Sequence, residues 1–266
     1  MSDTKILITD SVTKLGSQTN GRVLIAGSHG GIYAGHQAAV AGVRGVILHD
    51  ASVGLDSAGI GALSFLDKVG LAAATISGDS ATIGDGAAMA KTGIISFVNE
   101  AAARVGCATH QTALDAASCM LSATPANLSK LPDLNEARFV IEQRPAAPPI
   151  IGCDSVSLVI GEDLDAIVIT ASHGELLSAS PSWGSRPNVL GTIFNDAGRS
   201  TVTRLPDLDS RQIAAATVSA SSARIGDARS TWQSGIISHI NEWAAFRGAV
   251  IGMTTKEFAE QIIASK

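Results

Sequence analysis

Ala72 to Ala101 reads AAATISGDSATIGDGAAMAKTGIISFVNEA, and Ala214 to Trp243 reads AAATVSASSARIGDARSTWQSGIISHINEW. Aligned without a gap, the two stretches agree at 16 of 30 positions. Unrelated segments agree at roughly two, so the chain reads as a tandem duplication. The match extends backwards. Asp10-Ser11-Val12 recurs as Asp154-Ser155-Val156, Ser28-His29-Gly30 as Ser172-His173-Gly174, and Asp50-Ala51 as Asp196-Ala197. The offset is 144 residues for the first two matches, 146 at Asp50/Asp196 and 142 at Gly84/Gly226. Insertions therefore fall between motifs, in loops.

Each copy carries short apolar runs that stop at polar or glycine turns. Arg22 to Ala26 is a strand closed by Gly27-Ser28-His29-Gly30-Gly31. Val43 to Leu48 is a second strand closed by His49-Asp50, and Leu71 to Ile76 a third. Small and apolar residues from Ile32 to Gly42 allow a helix between the first two, and Leu55 to Val69 is amphipathic with Leu63, Leu66 and Val69 on one side. Strands that are apolar throughout, alternating with helices, belong to parallel sheets covered on both faces. In the second copy the strands are Ala166 to Thr170, Val189 to Phe194 and Ile213 to Val218. Ile94 to Val105 reads as a helix with Asn99 inside it, and Thr255 to Ala264 as the last helix, capped by Thr255. Asp85 and Asp227, each after Ile-Gly, read as caps.

The expected fold is therefore α/β and internally duplicated: two pseudo-twofold-related lobes, each with a parallel sheet flanked by helices, Rossmann-like or flavodoxin-like. Residues 1–123 and 150–266 are the two repeats. Residues 124–149 hold five of the eight prolines and read as a linker, with a short element around Leu134 to Glu142 left open between helix and strand.

Composition narrows the function. The 266 residues are 45% hydrophobic, 16% charged and 4% aromatic, with net charge -5 and no basic cluster. That argues against nucleic acid or a membrane surface as partner. No run approaches the roughly 18 to 20 apolar residues of a membrane span, and no secretory signal is visible, so a cytoplasmic location is expected. Cys107, Cys119 and Cys153 form neither an even disulfide set nor a CxxC pair and are expected to be buried structural thiols. A homo-oligomer is left open.

Ligands of open parallel sheets bind beyond the carboxyl ends of the strands, where the recurring polar motifs lie. With the first of these strands placed between the second and third, His29, Asp50 and Ser80 would converge, and Ser172, His173, Asp196 and Ser221 would do so in the other copy. His29 and His173 are the candidate acid/base groups, Asp50 and Asp196 their orienters, and Ser28 and Ser172 polar or nucleophilic groups. Gly30 and Gly31 are expected to offer bare N–H groups to an anion. Glu175, with Trp183 nearby, stands where the first copy has Gly31 and makes that copy the roomier one. The expected function is hydrolysis of an amide or related bond, or a proton-transfer step, on a small polar or carboxylate-bearing metabolite at a cleft between the repeats. A non-catalytic two-lobed binding protein is the alternative. The glycines do not fit G-x-G-x-x-G, and Glu175 would repel a pyrophosphate, so a dinucleotide is disfavoured. A divalent metal is left open, without HxH or HExxH spacing to support it, and no cofactor is favoured.

Overall fold

The computed structural model describes residues 5–13, 15–178 and 188–266. Trp183 lies outside them. The chain divides into two compact units, with the main division between Asn135 and Glu136.

The first unit runs β1 (Ile6–Thr9), β2 (Val23–His29), α1 (Ile32–Val40), β3 (Gly45–His49), α2 (Gly61–Asp67), β4 (Ala72–Ile76), α3 (Gly86–Thr92), β5 (Ile95–Val98), α4 (Glu100–Ala103) and α5 (Ala113–Met120). Its five strands lie in the order in which they occur, with β1 to β4 parallel and β5 antiparallel on β4. The second unit runs β6 (Arg138–Glu142), β7 (Ile150–Cys153), β8 (Ile167–His173), β9 (Gly191–Asn195), α6 (Arg204–Asp209), β10 (Ala214–Val218), α7 (Ala228–Ser234), β11 (Ile237–Ile240), α8 (Glu242–Phe246) and α9 (Thr255–Ala264). Its sheet is ordered β11-β10-β9-β8-β7-β6, parallel from β7 to β10 and antiparallel at both ends. The fold is thus α/β with two parallel-dominated mixed sheets flanked by helices. The open element near Leu134 to Glu142 is the edge strand β6.

Side chains alternate between the faces of a strand, and both faces here are covered, which is why the runs are continuously apolar. Val23, Ile25, Ile47, Ala72 and Ala74 pack with Met89 of α3 and with Ala116, Ala117 and Met120 of α5. Leu24, Ala26, Val46, Leu48 and Ala73 pack with Ala34, Ala38 and Ala39 of α1 and with Ala62, Leu63 and Leu66 of α2. Alanines let the helices approach the sheet closely. In the second unit Ile167, Ile169, Ile193 and Ala214 pack with Phe258 and Ile262 of α9, and Val168, Phe194 and Ala215 with Leu205 and Leu208 of α6.

Two expectations are corrected. The strand placed between the other two is β3, not β2, so the sheet has no reversal of strand order. Both crossover helices, α1 and α2, share one face, and the opposite face is closed by α3 and α5, which follow β4. The second correction concerns Ile94 to Val105 and its counterpart. Ile95–Val98 and Ile237–Ile240 are strands, and Asn99 and Asn241 are not helix-interior residues but N-caps of α4 and α8. The last helix spans Thr255–Ala264 as read, but its cap is Thr254 rather than Thr255, in a capping box with Glu257. Asp85 and Asp227 do cap α3 and α7.

Asn99 ties α4 to α2 and to the start of β4. Its Oδ1 accepts from Ala102 N at 2.9 Å and Ala73 N at 3.0 Å, and its Nδ2 donates to Leu71 O at 2.8 Å and Leu63 O at 3.4 Å. Asn241 makes the same four bonds to Ala244, Ala215, Ile213 and Leu205. Asn99→Ala leaves buried backbone groups unpaired and removes a cap, so urea unfolding should show a loss of about 3 kcal/mol. Asn99→Asp, which keeps the acceptor and loses the donor, should lose less than Asn99→Ala.

Candidate functional site at the strand ends of the first unit

A parallel strand that leaves its sheet must turn at once, and the first N–H groups beyond it need acceptors. Here the strand's own last side chains supply them. His29 Nδ1 accepts from Gly31 N at 3.1 Å, His49 Nδ1 from Ala51 N at 3.0 Å, and Asp50 Oδ1 from Ser52 N at 3.1 Å. Each bond spans two residues, the geometry of an Asx turn. Asp50 Oδ1 also accepts from Gly78 N at 3.1 Å, which links the ends of β3 and β4.

These bonds set the state of each ring. A ring nitrogen that accepts from a backbone N–H carries no proton, so a neutral His29 holds its proton on Nε2. Nε2 of His29 has no hydrogen-bond partner among the described residues. His29 pairs in register with His49 across β2 and β3. Desolvation of the ring, reinforced by the His49 ring, lowers the His29 pKa to about 4, although part of the residue remains accessible. The ring is therefore neutral at ordinary pH and presents an N–H. His49 has the same tautomer, but its Nε2 is within 3.1 Å of Ala81 O and is used structurally.

Asp50 heads a strained segment. Ala51, Ser52 and Val53 have φ of 46°, 58° and 65°, and Gly54 follows at 68°. Left-handed backbone costs roughly 1–2 kcal/mol per non-glycine residue. The turn closes through Val53 N to Asp50 O at 2.8 Å and Gly59 N to Val53 O at 2.8 Å. A Cβ on Gly59 would lie 2.1 Å from Asp50 O, so only glycine fits beneath it.

The expected anion cradle is not there. Gly30 N donates to His49 O at 2.6 Å, and Gly31 N is taken by His29. Gly30 is needed for packing, since a Cβ would lie 2.5 Å from Gly59 O and 2.9 Å from Thr75 Cγ2. A Cβ on Gly31 would lie 2.6 Å from His29 Nδ1. The expected His29–Asp50 hydrogen bond is also missing from the described contacts, because each side chain serves its own turn. Ser28 Oγ accepts from Val12 N at 3.1 Å and holds the loop after β1. Ser80 is structural: its hydroxyl donates to Ser77 O and accepts from Ile94 N.

The second unit repeats the scheme. His173 Nδ1 accepts from Glu175 N, Ser172 Oγ from Val156 N, and Asp196 Oδ1 from Gly198 N and Ala220 N. Asn195 replaces His49 bond for bond: Oδ1 accepts from Ala197 N and Nδ2 donates to Ala223 O. Ser221 is exposed, and the residue that matches Ser80 is Ser222, which donates to Ser219 O and accepts from Ile236 N. Glu175 is no open wall. It is buried, accepts from Thr203 N and Oγ1, and lies 3.8 Å from Arg199.

Asp10 and Asp154 are matched residues whose role shows only in the structure. Their Oδ1 atoms accept from Gly86 N and Ala228 N, fastening the loops after β1 and β7 to the starts of α3 and α7. Arg204, fully buried over Phe194 with its pKa lowered to about 10 by burial, has no counterpart in the first copy and gave no signal. Among the described residues no group of three or more His, Cys, Asp or Glu side chains is placed to hold a metal ion, and no helix is long and apolar enough to cross a membrane. Comparison of the chain with protein-family models, curated proteins and solved structures finds no match.

The pKa of His29 has a measurable consequence. Its folded value of about 4 lies below the ordinary 6.5, so the unfolded chain binds the extra proton and stability falls as pH drops from 6.5 towards 4. Glu136 acts oppositely: burial, then Asp154, raises it to about 7 from 4.5, so stability falls as pH rises through that window. The two slopes offset each other in the parent protein. His29→Asn, which retains an acceptor for Gly31 N, isolates the histidine. The difference in unfolding free energy between parent and variant should change by up to about 3 kcal/mol between pH 7 and pH 4. A pH-independent difference would show that the ring is solvated.

Proposed function

We propose that the chain is an enzyme acting on a small polar or carboxylate-bearing metabolite, hydrolysing an amide or related bond or moving a proton beside a carbonyl, at the carboxyl ends of β2 to β4. The observation that carries this reading is the neutral His29 ring at the end of β2, held by Gly31 N at Nδ1, with an Nε2–H that has no hydrogen-bond partner among the described residues. Such an N–H suits donation to a carbonyl oxygen as negative charge builds there, and its depressed pKa keeps it from becoming a cation. This modifies the role expected from sequence: His29 serves as the hydrogen-bond donor, and Asp50 is the proton acceptor. Asp50 Oδ1 is occupied by backbone N–H groups, which leaves Oδ2 for a water or a substrate proton. Ser28 accepts a backbone N–H and retains its own proton for a polar substrate group. Asp196 and Ser172 would act likewise in the second unit. Strain concentrated beside Asp50 supports the reading, since left-handed non-glycine residues cluster where geometry is held for function.

The alternative, a non-catalytic binding protein, is favoured by one fact: Ser28, Ser80 and one oxygen of Asp50 all serve backbone groups. Thermal-shift screening over small acids and amides, with a product assay on every compound that stabilises the fold, separates the two. A binder shifts without consuming ligand. On a compound that is consumed, His29→Asn should lower kcat by about 100-fold or more, the usual cost of removing one oxyanion donor. Unchanged kcat would refute the assignment. Ser52→Gly, at an exposed left-handed position, should raise unfolding stability by about 1 kcal/mol while lowering turnover.

A further inference from the structure

Two of the three cysteines lie together, which sequence spacing did not suggest. Cys107 follows α4 and is buried, and Cys119 sits on α5 and is half-buried. Both pack on the same core cluster. The Cys107 thiol donates to Ala116 O at 3.4 Å, and Cys119 lies three residues further along the same helix. Gly106, beside Cys107, would place a Cβ 3.8 Å from Cys119 Sγ.

The second unit shows what this position does. With the offset of 142, Cys107 corresponds to Ala249, Cys119 to Gln261 and Gly106 to Gly248. Gln261 Nε2 donates to Arg247 O at 2.8 Å, which tethers the last helix to the turn after α8. The first unit has no such amide. It has a thiol pair at the equivalent junction, between the turn after α4 and α5. Both turns are left-handed at glycine, with φ of 93° at Gly106 and 88° at Gly248.

We propose that Cys107 and Cys119 form a dithiol site that a small-molecule disulfide such as oxidised glutathione converts to an intramolecular disulfide. Cys119, the accessible thiol, loses its proton and attacks one sulfur of the glutathione disulfide, and one glutathione thiolate leaves. Cys107 then loses its proton and attacks the Cys119 sulfur of the mixed disulfide, and the second glutathione leaves. The protein gives up two electrons and two protons, and the glutathione disulfide is reduced to two thiols. Forming the bond removes the Cys107 donor from Ala116 O. Burial raises the Cys107 thiol to about 11, which makes the second step the slow one. Cys153, fully buried with its thiol pushed up to about 12, takes no part.

The test is to incubate the full folded chain with graded ratios of reduced to oxidised glutathione, block free thiols and map peptides without reduction. The expected product links the Cys107 and Cys119 peptides, lacks the mass of two hydrogens and leaves Cys153 blocked only after denaturation. Cys107→Ala, which copies the second unit, should instead accumulate glutathione on Cys119, and Cys119→Ser should form no disulfide with Cys107. The proposal is overturned if the parent protein retains glutathione on Cys119, if both thiols stay reduced in fully oxidised glutathione, or if the disulfide that forms includes Cys153.

Discussion

The structure depends on how each parallel strand is allowed to end. A strand buried on both faces delivers its last backbone groups into a crowded region where water is scarce, and those groups must be paired locally. In this chain the strand's final side chain turns back and accepts the N–H two residues ahead, at His29, His49, Asp50, His173, Asn195 and Asp196. The turn residues are thereby fixed in position, and any group left over, such as Nε2 of His29, is held rigidly. Preorganisation of this kind is what an electrostatic role requires.

The same bonds bear on which matched positions differ between the two units and which do not. His49 and Asn195 differ in chemistry but present the same acceptor and donor to the same two backbone groups. Gly30 and Gly174 cannot vary, because a Cβ on either would lie 2.5 Å from Gly59 O or 2.1 Å from Val202 Cγ1. Glu175 stands where the first unit has Gly31, and its carboxylate has partners in Thr203 and Arg199.

Much of this was legible in the sequence. The apolar runs at Arg22 to Ala26, Val43 to Leu48 and Leu71 to Ile76 read as parallel strands, and the Ile-Gly before Asp85 and Asp227 marks each as a cap. Ile95 to Val98 was not, because four apolar or small residues before a polar pair satisfy a helix as well as a strand, and only pairing with β4 separates them. Asn99 was misplaced for the same reason: a cap looks like an interior residue once the element before it is misread. The recurring polar residues lie at the strand ends, as their positions after the apolar runs indicate, but what each side chain bonds depends on N–H groups two residues away or on a neighbouring strand. Strand order and the partners of Gly30 N and Gly31 N leave no trace in composition or periodicity. The Cys107 and Cys119 contact is of the same kind, since it arises from the packing of α5.

Strand β6 carries a consequence for how the chain can be divided. The sequence repeat begins near Ile150, yet the sheet of the second unit begins at Arg138, and β6 pairs antiparallel with β7 from Arg138↔Cys153 to Glu142↔Ile150. Arg138 also binds the buried Asp163, Arg144 binds Glu260 of α9, and Phe139 lies under Arg229 of α7 at 3.9 Å. The sequence repeat and the compact unit therefore have different boundaries here. A second copy released at its own repeat boundary would expose β7 as a bare, apolar sheet edge, the feature that invites pairing between molecules. The stretch before Ile150 supplies the strand that keeps that edge closed.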